Sequence, residues 1–184
     1  MTNICVFGGA RSGTDPQYRL AATDLGKAIA ARGFTLIYGG GKDGLMGSVA
    51  QSALEHGAEV TGIIPEFLAR EDVLHPGLTN TIVLDDLSQQ KAKMIASTDA
   101  FIALPGGIGT LNELLEVMAL GQLQQIYRPI GVLDAAGYFE PWFVAFNHAV
   151  AHAFIDAVDE ERIVRSADPN ELLDNMQLGD SATF

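Results

Sequence analysis

A chain of 184 residues, 48% hydrophobic and 18% charged, is long enough to bury one sizeable core and too apolar to be disordered. Its formal net charge of −12 argues against a nucleic-acid polymer as partner, because gripping a phosphate backbone needs a basic face; a single nucleotide held by backbone amides stays open. Cys5 is the only cysteine, which excludes an intrachain disulfide, and with no charged-then-apolar leader and no apolar run of about 18 residues, a cytoplasmic protein without a membrane partner is expected.

Residues 4–7 read as a first buried strand that ends in Gly8-Gly9-Ala10-Arg11-Ser12-Gly13. Residues 15–32 read as an amphipathic helix, with Leu20, Ala21, Leu25, Ala28 and Ile29 on one side and Gly33 as its stop. The second strand, 34–38, runs into Gly39-Gly40-Gly41 and then Gly44-Leu45-Met46-Gly47. A helix over 45–56 and a third strand over 60–64, closed by Pro65, come next. Phe67 and Leu68 suggest one helical turn, Pro76-Gly77 a reverse turn, residues 81–84 a fourth strand and 87–96 a helix capped by Asp86. The apolar run 100–104 is a fifth strand; it turns through Pro105, Gly106 and Gly107 into a helix starting at Gly109, with Leu111, Leu114, Leu115 and Met118 at helical spacing. A sixth strand over 129–133, an aromatic-rich helix over 137–154, a short strand at Ile163 and Val164, and a helix over 168–176 with Asp168 as cap and Pro169 first bring the chain to a loose tail over 179–184. This alternation predicts an α/β fold: a doubly wound parallel sheet of about six or seven strands with helices on both faces, one domain over residues 1–184.

Ligands of such sheets bind beyond the carboxyl ends of the strands, near a switch point. Three of the expected strands end in glycine clusters, at Gly8-Gly9, at Gly39 to Gly41 and at Gly106-Gly107, which together predict one phosphate-bearing ligand across that edge. A strand that passes through glycines into a helix leaves backbone N–H groups free where the positive end of the helix dipole lies. Gly106, Gly107 and Gly109 therefore form a phosphate seat, Thr110 adds a hydroxyl, and Gly40 and Gly41 let backbone approach the ligand closely. Glu113 follows about one turn further on, so its carboxylate faces whatever that phosphate carries. Neither a GxGxxG fingerprint nor a GxxxxGK[ST] loop is present, which favours a mononucleotide over NAD(P) or ATP.

The run Pro105-Gly106-Gly107-Ile108-Gly109-Thr110-Leu111-Asn112-Glu113 resembles the PGGxGTxxE signature of the LOG (LONELY GUY) family, the cytokinin riboside 5′-monophosphate phosphoribohydrolases, also labelled lysine decarboxylase-like. Tyr38-Gly39-Gly40-Gly41, Gly44-Leu45-Met46-Gly47, and Gly131 with Gly137-Tyr138-Phe139 match as well, so the resemblance covers residues 4–155. It implies a Rossmann-like fold, a homodimer or higher oligomer with the site near the subunit interface, no metal or redox cofactor, and hydrolysis of the N-glycosidic bond of a nucleoside 5′-monophosphate to free base and ribose 5-phosphate. Breaking that bond builds oxocarbenium character on the ribose, which a carboxylate such as Glu113 can stabilise while polarising a water. Glu116, three residues on, is either a second site carboxylate or a solvated or interface charge. A lysine decarboxylase would need pyridoxal phosphate on a site lysine, and nothing near the glycine clusters suggests one, although Lys42, Lys91 and Lys93 are formally available.

Against the family pattern M-H-x-R-K-x-x-M, this chain reads Leu87-Ser88-Gln89-Gln90-Lys91-Ala92-Lys93-Met94. Lys91 and Met94 are kept, but the arginine that pairs functionally with the glutamate is Gln90, which has no charged fork. Arg11 is new to the first glycine loop, where a Cys-Gly-Ser-Ser run is usual, Ala119-Leu120 stand for a Thr-Trp pair, and Asp72 stands for a substrate-holding glutamate. Two readings follow: a working hydrolase in which Arg11 or Lys91 restores the lost charge, or a nucleotide-binding protein with little or no hydrolysis. His148 and His152 have metal-compatible i, i+4 spacing without a third ligand, and Tyr138, Phe139, Trp142, Phe143 and Phe146 are expected in core or dimer packing. The acidic stretch 156–161 is expected as a solvated helix end or loop.

Overall fold

A computed structural model describes residues 1–178; the tail expected over 179–184 lies outside the described residues. The strands β1 (Asn3–Phe7), β2 (Thr35–Tyr38), β3 (Val60–Pro65), β4 (Asn80–Leu84), β5 (Ala100–Ala103), β6 (Ile130–Leu133) and β7 (Ile163–Ser166) form one seven-stranded sheet in the order β4-β3-β2-β1-β5-β6-β7. Every pairing is parallel. The helices between them are α1 (Pro16–Ala31), α2 (Gly44–Glu55), α3 (Leu87–Ala96), α4 (Ile108–Gln122), α5 (Glu140–Ala151), α6 (Ala157–Glu161) and α7 (Pro169–Asn175).

Side chains on a strand alternate between faces, and here they sort the core into two layers. Ile4, Val6, Leu36, Tyr38, Ala100 and Ile102 pack with α1, α2 and α7, while Cys5, Phe7, Ile37, Phe101 and Ala103 pack with Met94 of α3, Leu114 and Val117 of α4 and Phe143 of α5. Strands two to four grow from one side of β1 and strands five to seven from the other, so the winding reverses between β1 and β5. That reversal opens a crevice between the loops after these two strands.

Local chemistry sets the helix ends. Asp15, Asp86 and Asp168 accept first-turn amides of α1, α3 and α7, with Pro16 and Pro169 opening two of them. Gly33 stops α1 with φ +66°. The aromatic helix starts later than its composition suggests. Residues 135–137 form a tight turn with Ala136 at φ 51° and Gly137 at φ 68°, and α5 begins at Glu140 with Pro141 behind it. Its aromatic side chains divide: Phe139, Phe143 and Phe146 are buried, whereas Tyr138 stands 37% exposed. β3 runs through Pro65, which registers with Leu84, β7 extends past Val164 to Ser166, and the acidic stretch closes into α6. Among the described residues, no helix is long and apolar enough to cross a membrane.

α1 and α2 pack closely because Gly26 has no side chain; a Cβ there would fall 2.4 Å from the Val49 carbonyl and 2.8 Å from Ser52 Cβ. Gly26→Ala should therefore separate the two helices and destabilise the fold by about 1–3 kcal/mol, despite the better helix propensity of alanine. Thermal denaturation reads this as a melting temperature several degrees lower.

Candidate functional site

The loops after β1 and β5 meet over a cavity of about 540 Å³. Its walls include Gly8 to Gly13, Gly39, Leu45 and Met46, Leu68, Gln90, Pro105 to Gly107, Gly109, Thr110, Glu113, and the two tyrosines Tyr18 and Tyr138. The first loop is pinned to the second by the Gly9 amide, which donates to the Pro105 carbonyl at 3.0 Å. The Gly9 carbonyl in turn accepts from Leu45 and Met46 at the start of α2. Gly44 has φ +66°, and a Cβ on it would lie 2.3 Å from Ala10, so the loop after β1 rests directly on the backbone at the start of α2.

At the head of α4, Gly107 occupies the N-cap position and offers no side-chain cap. The amides of Ile108, Gly109 and Thr110 therefore have no acceptor within the helix. Gly107 and Gly109 face open space: a Cβ on either would meet nothing within 4 Å. Gly106 is different. A Cβ there would fall 2.1 Å from Thr110 Oγ1, so the turn closes only around glycine, and the Thr110 side chain is buried against it. The Tyr138 hydroxyl donates to the Gly106 carbonyl from the far rim.

Glu113 lines both this cavity and a crevice of about 10 Å³ behind it, shared with Phe7, Lys91, Met94, Ile95, Glu116 and Val117. Burial pushes its carboxyl up to about 7; the Lys91 ammonium pulls the other way and the Glu116 charge adds to the rise. Lys91 Nζ lies 2.6 Å from Glu116 Oε2 and donates to Asn112 Oδ1 at 3.2 Å. The contact with Glu116 is an ion pair whose angles fall outside hydrogen-bond geometry, so that buried oxygen keeps no hydrogen-bonded partner.

The expected site residues thus separate into groups. Glu113, Gln90, Arg11, Gly106, Gly107, Gly109 and Thr110 line one cavity. Lys91, Met94 and Glu116 gather behind Glu113 rather than in the cavity, with Met94 fully in the core. Gly40 and Gly41 stand aside: their carbonyl and backbone pair with His75 and Leu74, and Gly40, at φ +79°, packs against the Cα of Gly62 in β3. The lack of a side chain at Gly40 lets the backbone approach β3 closely, and of that cluster Gly39 lines the cavity. Asp72 also lies outside it, 3.2 Å from Arg70 in an exposed ion pair. Gln90 is buried, with its Nε2 donating to the Ile63 carbonyl at 2.6 Å. The Ile63 carbonyl takes one of the two amide N–H donors, and the side chain brings no charge to the cavity it lines. Arg11 is exposed on the cavity wall and has no ion-pair partner among the described residues. Lys42 reaches only the Glu71 carbonyl, at 3.5 Å. The rings of His148 and His152 are 4.4 Å apart on α5, and no group of three metal-ligating side chains occurs among the described residues.

Sequence reasoning missed Tyr18 and Tyr138, whose rings meet edge to face at 5.5 Å beside the glycine turn. For Tyr138 a signal existed: it follows Gly137 just beyond β6, a strand whose carboxyl end points at the same edge.

A family model described as "possible lysine decarboxylase" matches residues 46–176. A probable cytokinin riboside 5′-monophosphate phosphoribohydrolase of Oryza sativa subsp. japonica, LOGL3, is 40% identical over 173 residues, covering 94% of this chain and 82% of its own. The cytokinin riboside 5′-monophosphate phosphoribohydrolase LOG7 of Arabidopsis thaliana is 39% identical over 174 residues, 95% of this chain and 80% of its own. Among solved structures, the molybdenum cofactor binding protein of Rippkaea orientalis superposes with a TM-score of 0.72 at 21% identity, over 96% of this chain and 95% of that one, a likeness of fold alone. With the PGGxGTxxE run at the head of α4, an all-parallel sheet, and about two-fifths identity over most of the chain, this protein belongs to the LOG family of cytokinin riboside 5′-monophosphate phosphoribohydrolases.

Proposed function

We propose that the protein hydrolyses the N-glycosidic bond of a purine or cytokinin nucleoside 5′-monophosphate, releasing free base and ribose 5-phosphate. One observation carries this reading: the uncapped first turn of α4 and a buried carboxyl one turn further along, Glu113, open into the same cavity. The phosphate sits on the amides of Gly107, Ile108, Gly109 and Thr110, where the helix dipole favours an anion. Anchored there, the substrate places its ribose near Glu113, and binding energy from the remote phosphate is used to orient the bond that breaks. As the bond between C1′ and the base nitrogen lengthens, its electron pair leaves with the base and positive charge grows on the ribose. Ionised Glu113 stabilises that charge and takes a proton from the water whose oxygen bonds to C1′; the departing base gains a proton from solvent, and Glu113 returns its own to solvent to close the cycle.

Gln90 contributes no charge, and Lys91 is spent on Glu116 and Asn112. Arg11 is the cation on the cavity wall, and we assign it the role of offsetting negative charge on the bound nucleotide. The protein works in the cytoplasm as a homodimer or higher oligomer: a lone, buried Cys5 suits a reducing compartment, and Ile108 and Leu115 leave the outer face of α4 apolar and exposed beside the site.

Base release from a panel of nucleoside 5′-monophosphates tests the reaction, and Glu113→Gln should lower kcat by about 10²–10⁴-fold. Nucleotide that binds tightly without base release would favour the binding-only reading. Arg11→Ala should raise KM for the nucleotide several-fold; unchanged kinetics would remove the role given to Arg11.

The Glu113 carboxyl also predicts pH behaviour. Because it ionises as a base near 7, kcat/KM should climb as pH rises through that value. Its folded-state value lies above the ordinary 4.5, so the stability it contributes is complete below about 4.5 and lost as pH rises through about 7. Glu113→Gln, which cannot ionise, should therefore raise the melting temperature at pH 8, by an amount on the order of 3 kcal/mol in stability, and by much less at pH 5.

A further inference from the structure

We propose that Tyr138 is a positioning residue: its hydroxyl holds the Gly106–Gly107 peptide in the orientation that presents an amide, not a carbonyl, to the phosphate of the nucleotide. This rests on the phosphoribohydrolase reading and adds to it the group that sets the direction of the anion seat.

The peptide in question joins two glycines, so no Cβ on either side chooses between its two orientations, which differ by a flip of the peptide plane. Its neighbours are already fixed. The Pro105 carbonyl accepts from Gly9 at 3.0 Å, and the Gly107 carbonyl accepts from Leu111 at 3.1 Å as the first bond of α4. Between them only the Gly106 carbonyl is left to be placed, and the Tyr138 hydroxyl donates to it. In a trans peptide the N–H points opposite to the C=O, and no cis bond occurs among the described residues. Holding the Gly106 oxygen toward Tyr138 therefore directs the Gly107 N–H the other way. A flip would exchange a donor for an acceptor at the wall of the cavity and set a carbonyl oxygen against an anion.

The hydroxyl is itself delivered by a braced segment. Ala136 is held at φ 51°, a left-handed conformation that a residue with a Cβ keeps only when its surroundings impose it. Asp134 imposes it from beneath: its Oδ1 accepts the Phe139 amide at 2.7 Å, and its Oδ2 accepts Arg165 Nε at 2.8 Å. Arg165 also pairs with Glu140 and lies over the Phe143 ring, 4.6 Å from its centroid. The Tyr138 ring then rests edge-on against Tyr18 and Phe139. A tyrosine needed only for packing would not require its hydroxyl on this one carbonyl.

Tyr138→Phe removes the hydroxyl and keeps the ring. With the purified full chain, KM for AMP and the inhibition constant of ribose 5-phosphate should both rise about tenfold, the scale of one hydrogen bond, with kcat within about threefold of the parent. The melting temperature should stay within a few degrees. Binding of adenosine, which has no phosphate, should not change. Unchanged affinity for ribose 5-phosphate in the variant overturns the proposal while leaving the hydrolase reading intact. Equal loss of AMP and adenosine binding, or a melting temperature lowered by ten degrees or so, assigns Tyr138 a packing role and overturns it as well. A parent protein that binds ribose 5-phosphate no better than ribose overturns both.

Discussion

The first turn of α4 has to be left without protein partners for the site to exist. At α1, α3 and α7 an aspartate caps the helix start and satisfies the amides a ligand would need. At α4 the capping position is Gly107, which has nothing to offer, and the amides stay available. The same stretch cannot drift, because Gly106 is wedged against the buried Thr110 and the Gly9 amide ties Pro105 to the neighbouring loop. An unsatisfied backbone is tolerated here because it opens into a cavity, where water or a ligand can complete its bonds.

A protein with a net charge of −12 can hold an anion only if attraction is local. Backbone dipoles meet that condition, since they act within a turn of the helix end and add no net charge. The acidic side chains nearest the seat are managed by position. Glu116 is turned behind Glu113 and paired with Lys91, so its charge meets an ammonium before it meets the cavity. Glu113 is the one carboxyl admitted to the cavity, and its burial keeps it substantially protonated near neutrality, which limits repulsion of an incoming phosphate while leaving a base available.

The order of strands and helices was legible because each strand here is a short apolar run and most helices announce a cap or a stop, as Asp86 and Gly33 do. The glycine turn at the head of α4 was legible for the same reason: a strand, glycines and a helix in direct succession allow few geometries. Less legible was whatever depends on residues distant in sequence. Gly39 to Gly41 form one glycine run in the sequence, but the segment carrying Leu74 and His75 returns to bridge Gly41 and to bond the Gly40 carbonyl, which leaves Gly39 on the cavity wall. Asp72, which the resemblance assigns to substrate binding, lies outside the cavity lining in an exposed ion pair with Arg70 two residues away. Tyr138 was read as one member of an aromatic helix; the left-handed Ala136 and Gly137 detach it from that helix and turn it toward Gly106.

The departure at Gln90 and the high Glu113 value belong together. An arginine at that position would face the carboxyl with a permanent charge and would favour its ionised form. Glutamine instead donates an amide N–H to the Ile63 carbonyl of β3 and brings only a neutral side chain to the cavity. Among the described residues, the cation that opposes the burial of Glu113 is Lys91, and that ammonium is shared with Glu116. On the loop in front of the carboxyl, Arg11 lines the cavity and is exposed and unpaired among the described residues. In the proposed reaction a cation on a loop would serve the ligand more than the carboxyl, whereas a guanidinium fixed beside Glu113 would hold the acid ionised whether or not substrate were present.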